Sequence, residues 1–356
     1  MRWCRLHSIR LICAAFALCA LASARAEDAS VKVRTEFQQA YSAATTGAPV
    51  DASADSSALK RYALYPYLQV ARLASRLGRT SGELQGIDDE VLQFLEAHGR
   101  EPVTRDLRSA WLQSLASRSL WTAYLSHYDP QRDTDDIARC NSFAAHIETQ
   151  QTTGLIPEVR SHWLTAAQLP EACESAFTWL RAQNAVTPAM FDQRVRMILR
   201  EGNVPFARQI IAQMPAEQSA PLLQWAALIQ RPTEEIERAI ANPTAPIENE
   251  ALLDGWTRFA RSRPDLAMQR YSTFVTARHL DREHASPYAL ALALSLSWSR
   301  RIEALDYYEY LSTSDRDERA LEWQARTALW SGNWTLVKRT IAAMPERTRS
   351  TARWQY

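Results

Sequence analysis

Residues Arg194–Pro215 read RVRMILREGNVPFARQIIAQMP, and residues Gln324–Pro345 read QARTALWSGNWTLVKRTIAAMP. The two segments align without a gap at an offset of 130 positions. They share Arg196/Arg326, Leu199/Leu329, Gly202/Gly332, Asn203/Asn333, Ile211/Ile341, Ala212/Ala342, Met214/Met344 and Pro215/Pro345. Each reads as a helix, a Gly-Asn stop, a second helix and a Met-Pro stop. Glycine tolerates the left-handed conformation at a helix C-terminus, and proline cannot continue a helix. A recurring helix–turn–helix unit buries its apolar face against its neighbours, so the repeat predicts a solenoid of stacked helix pairs.

Composition points the same way. Nine glycines in 356 residues is far below the about 25 that average usage gives, and Ala, Leu, Arg, Gln and Glu, all good helix formers, dominate. No alternating β-branched run reads as a strand. The fold class expected is therefore all-α. Helices are expected over residues 31–45, Leu59–Leu77 (interrupted or opened by Pro66), Asp88–His98, Val103–Arg118, Ser119–His127, Asp133–Gln151, Leu155–Ala167 and Glu171–Gln183. Thr187-Pro188, an N-cap followed by an N1 proline, opens the helix that leads into the first repeat copy. The pattern then continues over Ala220–Gln230, Thr233–Ala241, Glu248–Arg261, Asp265–His279, Pro287–Trp298, Arg301–Ser312 and Asp317–Trp330. Most tryptophans fall at helical spacing among Leu and Ala, as Trp323 and Trp330 do, and read as packing between helices.

Residues 1–26 read as an export signal: Arg2, Arg5 and Arg10 precede the apolar run Leu11–Leu21, and Ala24-Arg25-Ala26 supplies a cleavage site. That run is too short to span a bilayer, and no other stretch approaches the ~20 apolar residues of a membrane helix. Without its four arginines the remainder carries 37 basic and 40 acidic residues, a charge of −3. This balance argues against nucleic acid as the partner. The 330 residues after the signal exceed one ordinary core, so two domains or an extended repeat array are expected. Cys140 and Cys173 are the two cysteines that stay. An even pair in an exported chain is most simply a disulfide, with two buried free thiols as the alternative.

Candidate chemistry is sparse. Glu174-Ser175-Ala176-Phe177 resembles the Glu-Ser signature of lytic transglycosylases and goose-type lysozymes, in which one glutamate serves as acid and then base. The Gly-Leu-Met-Gln and Ala-Tyr-Asn-Ala-Gly segments that follow in those enzymes are missing after Glu174, and Ala40-Tyr41-Ser42-Ala43 lies on the wrong side. Glu174 is accordingly rejected as catalytic. His279 and His284 are five residues apart and off a shared helical face. Asp133, Asp135 and Asp136 read as a solvated helix start, with calcium binding as the weaker alternative because an EF-hand's glycine and distal glutamate are missing. No metal site and no cofactor are expected.

Several segments together resemble the N-terminal superhelical U-shaped domain of soluble lytic murein transglycosylases. They are the export signal, Tyr65-Pro66-Tyr67-Leu68, Cys140-Asn141 with Ala172-Cys173, the Arg194–Pro215 unit and the closing Arg353-Trp354-Gln355-Tyr356. The resemblance implies a right-handed superhelical α-solenoid over residues 27–356, a disulfide between Cys140 and Cys173, a Gram-negative periplasmic location and no cofactor. It also implies that the complete enzyme cleaves the β-1,4 bond between N-acetylmuramic acid and N-acetylglucosamine, leaving 1,6-anhydromuramyl ends, while this region helps hold glycan strands. The catalytic glutamate has no counterpart here, so the chain by itself is expected to be inactive. The array stops in mid-repeat after Trp354, an arrangement expected of a scaffold that leans on a following segment. The competing reading is a free-standing periplasmic helical-repeat adaptor that binds protein partners on a concave face.

Overall fold

The computed structural model describes residues 30–46, 52–78, 86–99 and 101–355. The expected export signal lies outside these residues. Among the described residues there is no strand; the chain is all-α. It divides into two compact units. One holds the described residues up to Val159 together with Leu169–Gln183, and the other holds Arg160–Gln168 and the chain from Asn184 onward.

In the first unit, α1 covers residues 30–45. It is followed by α2 (Ser57–Lys60), α3 (Tyr65–Leu77), α4 (Ile87–His98), α5 (Val103–Ser117), α6 (Trp121–His127), α7 (Asp136–Glu148), the start of α8 (Leu155–Trp163) and α9 (Glu174–Ala182). Pro66 sits in the first turn of α3, where its missing N–H has no helical partner to lose. α3 packs on α5, α5 on α7 and α7 on α9, while α4 and α6 fill the second layer. That alternation is the contact pattern of stacked helix pairs. Its core is Leu73, Ile87, Val91, Leu107, Trp111, Leu115 and Tyr124. Two polar groups within this core are matched: Trp111 Nε1 donates to Asp88 and Tyr124 Oη donates to the Ala138 carbonyl.

The second unit repeats the scheme at greater length. It contains α10 (Pro188–Arg200), α11 (Val204–Ile211), α12 (Ala216–Gln230), α13 (Pro232–Ala241), α14 (Asn249–Ser262), α15 (Pro264–Ala277) and α16 (Arg282–Trp298). α17 (Ala304–Tyr308), α18 (Glu318–Trp330), α19 (Trp334–Ala343), α20 (Glu346–Arg349) and α21 (Ala352–Gln355) complete it. α10, α12, α14, α16 and α18 each pack on the next of the series, and the odd-numbered helices pair with them in a second layer. α12 and α14 approach so closely that a Cβ on Gly255 would lie 2.7 Å from Leu228 Cδ2. Trp256 fills the neighbouring layer, stacked on Phe274 and donating its Nε1–H to the Tyr288 carbonyl.

Among the boundaries that differ from the sequence expectation, α12 starts at Ala216 rather than Ala220 and α16 at Arg282 rather than Pro287, and they carry Pro221 and Pro287 in the second turn. The carbonyls left without a proline donor belong to Glu217 and Glu283, both exposed. The helix expected over Arg301–Ser312 shrinks to α17 because other groups take its backbone. Arg282 and Arg316 donate to the carbonyls of Glu309, Leu311 and Tyr308, and Ser312 N donates to Ser286 Oγ.

Candidate functional site

The repeated phrase organises the second unit through its polar residues. Gly202 and Gly332 adopt φ of 78° and 71°. The N–H of each residue that follows, Asn203 and Asn333, bonds back to Ile198 O and Ala328 O, closing a Schellman turn. Each asparagine then caps the next helix, its Oδ1 accepting from Phe206 N or Leu336 N. The pair Gly-Asn is thus both the stop of one helix and the start of the next.

The shared arginine gives the phrase a second function. Arg196 lies 6.0 Å from the centre of the Trp225 ring and pairs with Asp192 and with Glu248. Arg326, its counterpart, lies 5.3 Å from the centre of the Trp354 ring and pairs with Glu322. In both copies a guanidinium held by an acid one turn earlier roofs a buried tryptophan of a later helix. Glu248 keeps its carboxyl below the ordinary range because Arg196 donates to it, and the two acids push the guanidinium upward. Sequence reading registered the identity of Arg196 and Arg326 but missed the stacking, which joins residues 29 and 28 positions apart.

The remaining sequence candidates are dispersed. Cys140 and Cys173 are joined as a disulfide with Cα atoms 4.7 Å apart, tying α7 to the 3-10 turn before α9. Their sulfurs are therefore not available as thiolate ligands. Glu174 lies in the first turn of α9, mostly exposed, with Arg181 2.5 Å away. Its exposed carboxylate lies against that guanidinium rather than in an enclosed pocket. The three aspartates separate. Asp135 caps α7 by accepting from Ala138 N, and Asp136 follows it in the first turn. Asp133, expected to be solvated, is buried: it accepts two bonds from Arg108 and one from Asp129 N. Those donors use the oxygens a calcium ion would need. His284 sits over the cap of α16, 2.8 Å from Asp281, and His279 occupies a left-handed turn position after α15.

The second unit also contains an open groove of about 680 Å³ along α14, α16 and the segment before α18. Leu253, Leu290 and Leu294 line it, with Trp298 at its edge and Arg261, Asp315 and Arg319 beside them. Trp298 is 64 % exposed and stacks on Trp323 at 5.2 Å. No sequence signal distinguished this tryptophan from the buried ones, because α16 is apolar on nearly all faces.

The architecture is that of an all-helical repeat protein, and sequence comparison supplies its kin. No family model matches the chain. Over 299 residues it is 24 % identical to the soluble lytic murein transglycosylase of Salmonella typhimurium and 22 % identical to that of Escherichia coli K12. Each match covers 84 % of this chain and 45 % of the relative, so the chain spans about half the length of the curated relatives it matches. The chain is a homologue of soluble lytic murein transglycosylases. Solved structures agree in fold. An inactive variant of the lytic transglycosylase Slt from Pseudomonas aeruginosa superimposes with a TM-score of 0.67 at 23 % identity, over 89 % of this chain and 50 % of that one. The 70 kDa soluble lytic transglycosylase in complex with bulgecin A gives 0.66 at 22 % identity, over 83 % and 47 %. Among the described residues no helix is long and apolar enough to cross a membrane.

Proposed function

We propose that this chain is the non-catalytic scaffold region of a periplasmic peptidoglycan lytic transglycosylase. Residues 1–26 direct export, and residues 27–356 form one superhelical domain that holds glycan strands. Cleavage of the MurNAc-β-1,4-GlcNAc bond to a 1,6-anhydromuramyl product belongs to a catalytic domain outside the matched half. The observation that carries this reading is the similarity, over 84 % of the chain, to enzymes named for their action on murein. The exposed ion pair of Glu174 supports a role without chemistry, and Cys140–Cys173 serves as a structural tie suited to an oxidising compartment.

Turnover is the test. The purified chain, incubated with murein sacculi, releases no 1,6-anhydromuropeptide detectable by mass spectrometry. Release that disappears in Glu174→Gln overturns the assignment.

A further inference from the structure

The groove beside Trp298 resolves what kind of ligand the second unit can hold. Trp298 is 64 % exposed, so most of its surface is open to a ligand. The ring is also held in place. One face stacks on Trp323, whose ring in turn lies 4.9 Å from Arg326. Trp298, still 64 % exposed despite that contact, lines a groove whose volume falls within the about 300–1,000 Å³ of small-ligand sites. A flat, pre-positioned, apolar ring is the surface on which the C–H face of a pyranose packs while its hydroxyls stay in water.

Charge narrows the ligand further. Arg258, Arg270 and Arg326 in the helices of this unit, and Arg301 after α16, each pair with an acid. Arg261 and Arg319, which line the groove, have no carboxylate within 4.0 Å among the described residues. Their counterpart in the lining is Asp315, whose carboxylate accepts from Ser312 Oγ. Two exposed guanidiniums against one carboxylate make an anion-seeking rim, and the planar guanidinium fits a carboxylate in bidentate fashion.

We propose that this groove is a binding subsite for an acidic amino-sugar strand: a sugar ring stacks on Trp298, and carboxylates of an attached peptide pair with Arg261 and Arg319. The assignment rests on the peptidoglycan reading above and gives it a location. Calorimetric titration of the full chain with two probes tests it: chitotetraose, which is neutral, and a GlcNAc-MurNAc tetrasaccharide carrying its stem peptides, which is acidic. Trp298→Ala is expected to weaken both at least tenfold. The double variant Arg261→Gln, Arg319→Gln is expected to weaken the acidic probe severalfold and leave chitotetraose unchanged. Trp334→Ala, which removes another exposed indole outside the groove lining, is expected to change neither. All four residues are exposed, so melting temperatures should stay at the wild-type value.

Wild-type affinity of Trp298→Ala for both probes overturns the subsite and leaves the groove to a protein partner. Equal loss of both probes in the arginine variant overturns the role given to the two guanidiniums. If those variants are silent while the wild type still binds whole sacculi, the subsite fails and the scaffold reading stands. If the wild type binds neither probe nor sacculi, both fail.

Discussion

At the scale of single residues, Gly332 isolates a backbone effect. Its φ is 71°, and a Cβ placed there would meet nothing within 4 Å. Gly332→Ala should therefore cost only the left-handed strain, about 1 kcal/mol in urea denaturation. Asn333→Ala removes the cap on Leu336 N and should cost a similar about 1 kcal/mol. Asp55 is a different case. Its buried carboxylate accepts from both terminal nitrogens of Arg72 and from Tyr65 Oη. The arginine first of all holds its pKa below the ordinary value. A depressed carboxyl stabilises the fold fully above its unfolded pKa of about 4, and the contribution fades as pH falls through the lower folded value. Asp55→Asn leaves Arg72 without its charge partner and should cost about 3–5 kcal/mol at pH 7. In thermal melts the gap between variant and wild type should narrow as the pH is taken below 4. A constant gap across that range would show that charge is not its cause.

At the scale of elements, several helix starts and stops that a side chain or a left-handed glycine enforces were legible, although Asp281, which caps α16, was not read as one. Thr187, Asn203, Asp317 and Asn333 all accept from the third residue on, the geometry that makes such residues readable as caps. Pro287 misled because a proline in the second turn removes one hydrogen bond without ending a helix whose first turn is already formed. The close crossing of α12 and α14 was not legible, since Gly255 reads in sequence as a weak point in a helix. In structure it is the site of contact. Gly255→Ala should destabilise by about 1–3 kcal/mol although alanine is the better helix former by about 1 kcal/mol. Leu228→Ala in the same chain should recover part of that loss, since the clash is with Leu228. Gain of stability in Gly255→Ala would mean that the helices yield freely. For the cysteine pair, the loop spans 33 residues, and the chain-entropy model assigns such a loop ~3–4 kcal/mol. Melting with and without reductant should show a lower transition temperature on reduction.

At the scale of the whole molecule, both units follow one rule: alternate helices stack on each other and their partners form a second layer. The phrase that recurs at an offset of 130 residues announced this rule, because the same stops at the same spacing set paired helices of matching length. The candidate ligand groove was not announced. Trp298 and Arg261 lie 37 residues apart, and Trp298 ends an Ala/Leu-rich helix. Only three-dimensional placement separates an exposed indole on a stacked base from a buried one. The homology to murein enzymes covers less than half of their length, so binding and cleavage need not reside together. Co-sedimentation of the purified chain with murein sacculi, quantified over a range of protein concentrations, tests the central claim of glycan holding most directly. Saturable binding that soluble muropeptides compete away is the result expected. Protein that stays in the supernatant at all concentrations would contradict it.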